Sequence, residues 1–123
     1  MRKSDRELVF QKYDGKCAYC GCELSKGWHV AHIEPIVRNF GSARHRKYCE
    51  RPENEKVENY NPSCASCNIN KHSMTIEQFR ESIKKYVNSL NLYSTQYKIA
   101  KRYGLIQETE NEVKFYYETV LTQ

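Results

Sequence analysis

Two Cys-x-x-Cys turns, Cys17-Ala-Tyr-Cys20 and Cys64-Ala-Ser-Cys67, lie far apart in the chain, with His32 and Asn59 between them and Asn68 directly after the second. Zinc is satisfied by four thiolates at tetrahedral angles, and each such turn presents two from one knuckle. Four thiolates leave no open coordination position, so this spacing reads as a structural zinc site that closes the intervening segment into a loop. Cys22 and Cys49 are left over; Cys22 follows Cys20 by only two residues, a poor geometry for sharing the site, and both read as free thiols. Inside and just beyond the loop stand an imidazole, a side-chain amide and a second amide oxygen, groups able to act as a base, a brace and a hard metal ligand.

Charge narrows the choice of partner. The 123 residues carry 20 Lys and Arg against 15 Asp and Glu, a mild net +5. The excess is concentrated, because Arg38, Arg44, Arg46, Lys47 and Arg51 crowd one segment with only Glu50 opposing, while the tail after Gly104 is acidic. Such a segment can grip a nucleic-acid backbone, and it can equally be a solvated loop. The chain opens on MRKSDRELVF without an apolar run, and no stretch is long enough to cross a bilayer. These features lead to the expectation of a soluble, cytoplasmic protein with reduced thiols, in a bacterial or phage-infected cell, with no membrane partner.

The elements that must position these residues are short. Ser4 and Glu7 form a capping-box pattern for a helix over 4–13, stopped by Gly15. Trp28 to Ile33 reads as a strand and Val57 to Asn61 as its antiparallel partner, with a long loop between. The second knuckle should open a helix through Asn68 to about His72. Thr75 and Gln78 cap another, whose Ile76, Phe79, Ile83, Val87 and Leu90 form one amphipathic face. A helix near Thr95–Tyr103 ends at Gly104, and Val113 to Val120 alternates well enough for a terminal strand whose aromatic residues pack on the zinc-bound centre. The length suits one domain, with a zinc-bound core over 16–80 and a helical and strand extension over 81–123.

CAYCG, HVAHIEP and ENYNPSCASCNINK, in that order and spacing, resemble the HNH endonucleases, in particular the phage and bacterial type with two zinc knuckles. The resemblance covers roughly Lys16 to Arg80. It implies an α+β fold built on a small ββα-metal (His-Me finger) core stabilised by a zinc ion on four cysteines. It also implies hydrolysis of DNA phosphodiester bonds with Mg2+ or Mn2+, leaving a 5′-phosphate and a 3′-hydroxyl. On the matching positions His32 is the general base, Asn59 the brace that orients it, Asn68 a ligand of the catalytic ion, and Lys71 a basic residue facing phosphate. One position departs from the pattern: the residue before the catalytic His is ordinarily an acidic or imidazole metal ligand, and here it is Ala31. His29, on the same strand face as Ala31, and His72, one helical turn past Asn68, are the candidate replacements. Two readings therefore stay open beside a purely structural zinc protein: a working nuclease, or a zinc-stabilised DNA-binding module disabled by Ala31.

Overall fold

The structure is a computed structural model that describes residues 2–34 and 55–120. Arg38, Arg44, Arg46, Lys47, Cys49 and Arg51, with most of the expected long loop, lie outside the described residues. The elements run α1 (Lys3–Gln11), β1 (His29–His32), a 3-10 turn (Val57–Asn59), β2 (Tyr60–Ser63), α2 (Ala65–Lys71), α3 (Ile76–Lys84), α4 (Tyr86–Tyr93), α5 (Thr95–Arg102) and α6 (Tyr116–Val120). The class is α+β. No helix among the described residues is long and apolar enough to cross a membrane.

Strands β1 and β2 pair antiparallel, with His29 opposite Ser63, Val30 opposite Pro62, Ala31 opposite Asn61 and His32 opposite Tyr60. Alternation puts Ala31, Asn61 and Ser63 on one face and Val30, His32 and Tyr60 on the other. The second strand begins later than its sequence pattern suggests. Residues 57–59 tighten into a 3-10 turn that brings Asn59 back towards β1, and pairing starts only at Tyr60. Pro62 is tolerated because both strands of a two-stranded sheet are edges. Its carbonyl accepts the Ala18 N–H at 2.9 Å, which ties the first knuckle to β2.

On the Ala31 face lies the core: Cys17, Tyr19, Ala31, Phe79 and Phe115, bordered by Leu24, Cys64, Cys67, Met74, Ile76 and Ile83. Tyr19 meets Phe79 and Phe115 edge-on, with centroids 5.8 and 5.5 Å apart, while Phe79 stacks on Phe115 at 5.4 Å. Such ring pairs add about 0.5–1.5 kcal/mol each beyond area burial. At Gly21, φ is +79°, and a Cβ would lie 3.0 Å from the Tyr116 ring, so only glycine lets the C-terminal segment close on the knuckle.

Three local expectations change. The first helix starts at Lys3 with Arg2 as N-cap and no side-chain cap, so Ser4 lies inside the helix and forms no capping box with Glu7. The single amphipathic helix after Thr75 is two helices. Thr75 and Gln78 do form the capping box, but the helix ends at Lys84, and Val87 and Leu90 are exposed on α4 instead of continuing the core face. The expected terminal strand is helix α6. Tyr116 and Tyr117 donate their N–H groups to Tyr19 and Ala18 at 2.9 and 2.8 Å, which is the strand-like part. Glu118 then accepts from the Phe115 N–H and from Arg80, and this local capping turns the chain helical.

Lys71 ends α2 in the interior, 2 % exposed, with its ammonium donating to the carbonyls of His32 (2.7 Å) and Met74 (2.8 Å). Burial pushes its pKa down to about 8, partly opposed by the Glu34 carboxylate. Lys71→Met should destabilise the fold by about 1–3 kcal/mol for each carbonyl left unpaired, measured by urea unfolding. The folded-state pKa lies below the ordinary 10.5, so the folded protein gives up this proton first. Wild-type stability should therefore rise between pH 8 and 10.5, and Lys71→Met should lose that part of the slope.

Candidate functional site

The two knuckles converge. The Sγ atoms of Cys17, Cys20, Cys64 and Cys67 all lie within 4.8 Å of one another, and Cys20 Sγ is 3.8 Å from Cys64 Sγ. A tetrahedral site with Zn–S bonds near 2.3 Å has S···S edges of about 3.8 Å, so the cluster has the dimensions to hold a metal such as zinc. Local hydrogen bonds shape each turn: Gly21 N–H donates to the Cys17 carbonyl, Cys17 N–H to the Cys22 carbonyl, and Asn68 N–H to the Cys64 carbonyl. The Tyr19 N–H points at Cys17 Sγ at 3.4 Å and stabilises a thiolate there.

Proton sharing within the cluster matches that use. A hydrogen bond from Cys67 draws the Cys17 thiol down to about 4, and the same bond drives Cys67 upward. The Cys17 and Cys64 thiols are drawn down while Cys20 and Cys67 are pushed up, so ionising all four calls for a cation among them. Cys22 stands outside the four, exposed, its thiol pushed up to about 12 chiefly by its hydrogen bond with Cys20.

His32 lies on the face of the sheet away from this cluster and is 22 % exposed. Three contacts fix it. The Ile33 N–H donates to the Asn59 carbonyl at 2.8 Å. The Asn59 amide grips the backbone of Glu34 with both of its ends, Oδ1 accepting from Glu34 N and Nδ2 donating to Glu34 O, each at 2.9 Å. Lys71 holds the carbonyl of His32 itself. The ring meets Tyr60 edge-on at 5.3 Å, and its Nε2 lies 3.0 Å from Glu55 Oε1, which also accepts the Tyr60 hydroxyl. Asp5, Val30, His32, Glu55, Lys56 and Tyr60 line an open cleft of about 580 Å3 here.

The other site candidates fall differently. Asn68 is half-buried on α2, and His29 is exposed at the start of β1. His72 does not continue the helical face expected of it. Its N–H still bonds the Asn68 carbonyl, but its φ of +50° takes it out of α2, and its exposed ring pairs with Ser73 Oγ at 3.0 Å. Lys71 does not face phosphate, because it is buried against two carbonyls. Ala31 is a core residue, so a carboxylate there would enter the aromatic cluster. Among the described residues, no group of three His, Cys, Asp or Glu ligands other than the four cysteines comes together. Glu55 and Tyr60 carry no base or ligand signature in the sequence, although Tyr60 stands inside ENYNPSCASCNINK; only the 3-10 turn and strand register bring them to His32.

No family model matches the chain, and neither a curated protein nor a solved structure matches it.

Cys64→Ser should bind zinc far more weakly and lose the cooperative fold, read by metal content and circular dichroism, because structural zinc supplies folding energy. Zinc binding releases thiol protons, so affinity should fall as pH falls, which a chelator competition series checks directly.

Proposed function

We propose that the chain is a metal-dependent DNA endonuclease of the HNH type, with β1, β2 and α2 as its ββα-metal core and the four-cysteine cluster as its structural zinc site. The observation that carries this reading is the restraint on His32: a solvent-reaching imidazole whose strand is held by the Asn59 amide, the Asn59 carbonyl and the Lys71 ammonium. Such a concentration of buried polar groups around one histidine suits a base that must be placed accurately.

In this reading Glu55 accepts a hydrogen bond from His32 Nε2–H, which fixes the tautomer and leaves Nδ1 to take a proton from water. The carboxylate then stabilises the imidazolium that forms. Asn59 keeps the strand and the following peptide in register during the step. Bound Mg2+ or Mn2+ would stabilise charge on the scissile phosphate and departing oxygen, with the Asn68 amide oxygen as its protein donor on α2. His29 and His72, both exposed, are the weaker ligand candidates. Arg38, Arg44, Arg46 and Lys47 supply the backbone grip on DNA.

A second reading, a DNA-binding module without cleavage, is favoured by Ala31, which is built into the apolar core where the usual ligand would stand. Supercoiled plasmid incubated with magnesium, manganese or chelator separates the two. The nuclease reading expects metal-dependent nicking that drops on the order of 10²–10⁴-fold in His32→Ala, with the fold intact. Glu55→Gln should slow cleavage by less than His32→Ala does. DNA binding with no cleavage under either ion would favour the second reading, and a fully active His32→Ala would remove the catalytic assignment.

A further inference from the structure

Between Glu81 and Glu108 the chain has no acidic residue, yet it carries Lys84, Lys85, Lys98, Lys101 and Arg102 there. These five equal the net charge of the whole molecule, +5. Three of them stand on α5. Lys98, Lys101 and Arg102 follow at three- and four-residue spacing, which puts them on one face of that helix.

With Asn91 of α4 they line an open hollow of about 410 Å3. Its walls are held by hydrogen bonds. Asn91 Oδ1 accepts from Lys101 Nζ at 3.1 Å, and Asn91 Nδ2 donates to the Val87 carbonyl and to Glu108. Arg102 Nε donates to the Lys98 carbonyl at 3.4 Å, which keeps the guanidinium beside α5. Glu108 answers part of the charge, pairing with Lys101 at 3.2 Å while it also accepts the Tyr97 hydroxyl at 2.7 Å. Lys98 and Arg102 make no ion pair among the described residues. Like charges one helical turn apart repel, so an anion that bridges them is favoured.

We infer that the hollow between α4 and α5 is a contact for the phosphate backbone of duplex DNA, with Lys98 and Arg102 each meeting a phosphate. Residues four apart on a helix are separated by about 6 Å along its axis. A duplex presents a negative charge every ~1.7 Å of its own axis, so neighbouring phosphates can meet both cations at once. The planar fork of Arg102 can hold a phosphate through two parallel N–H bonds. The inference rests on the reading of DNA as partner, not on cleavage, and adds a grip remote in sequence from the Arg38 to Lys47 segment.

Fluorescence anisotropy of a labelled duplex tests this, with the zinc-loaded chain, no added magnesium or manganese, and a series of salt concentrations. Lys98→Ala/Arg102→Ala should weaken binding and make the slope of log affinity against log salt shallower by about 2, with zinc content and circular dichroism unchanged. Lys84→Ala/Lys114→Ala removes the same charge from the ion pairs with Glu81 and Glu112, outside the hollow, and should leave the slope as it is. Wild-type binding whose slope is the same in Lys98→Ala/Arg102→Ala would overturn this contact and leave the DNA reading standing. Equal loss in both double variants would also overturn it, because net charge alone would then explain the effect. A wild-type chain that binds no duplex, or that binds polyglutamate through Lys98 and Arg102 and no duplex, would overturn the contact and the DNA reading together.

Discussion

The convergence of four sulfurs is the constraint on which the rest of this molecule depends. Cys17 and Cys20 sit on a turn between α1 and β1, whereas Cys64 and Cys67 sit at the start of α2. Joining them fixes the end of β2 against the first knuckle, where the Ala18 N–H already meets the Pro62 carbonyl. That in turn fixes α2, whose last residue reaches back to β1 through Lys71. A chain of 123 residues with a small aromatic core has little other means of holding a two-stranded sheet, which alone is marginal in water.

The same construction gives the two faces of the sheet different tasks. One is dry and joins the cysteine knuckles to Ala31, Phe79 and Phe115. The other carries His32, Tyr60 and the Glu55 carboxylate in an open cleft. Asn59 and Lys71 act on the backbone at the border, so the position of His32 is set by peptide groups instead of by packing on its ring alone.

Much of this was legible in the sequence, and the reasons differ from residue to residue. The doubled Cys-x-x-Cys spacing announced the cluster because each such turn presents two thiols together, and two turns complete a tetrahedral set. Thr75 and Gln78 announced their helix because the capping box is a local device. Ser4 and Glu7 offered the same letters without forming it, since Arg2 already begins the helix. Long-range outcomes were hidden. Lys71 reads as a surface cation until β1 brings its carbonyl within reach, and His72 reads as helical until a positive φ ends α2. The alternation of Val113 to Val120 promised a strand, but Glu118 bonding back to the Phe115 N–H made it a helix. Val87 and Leu90 kept the helical period while leaving the core, because periodicity shows that a face is apolar without showing what covers it.

The most direct test of the central claim is zinc-edge X-ray absorption on the purified protein. The expected result is one zinc per chain with four sulfur neighbours at about 2.3 Å and no nitrogen or oxygen ligand. A cooperatively folded protein whose zinc has fewer than four sulfur ligands, or which folds without any metal, would contradict it.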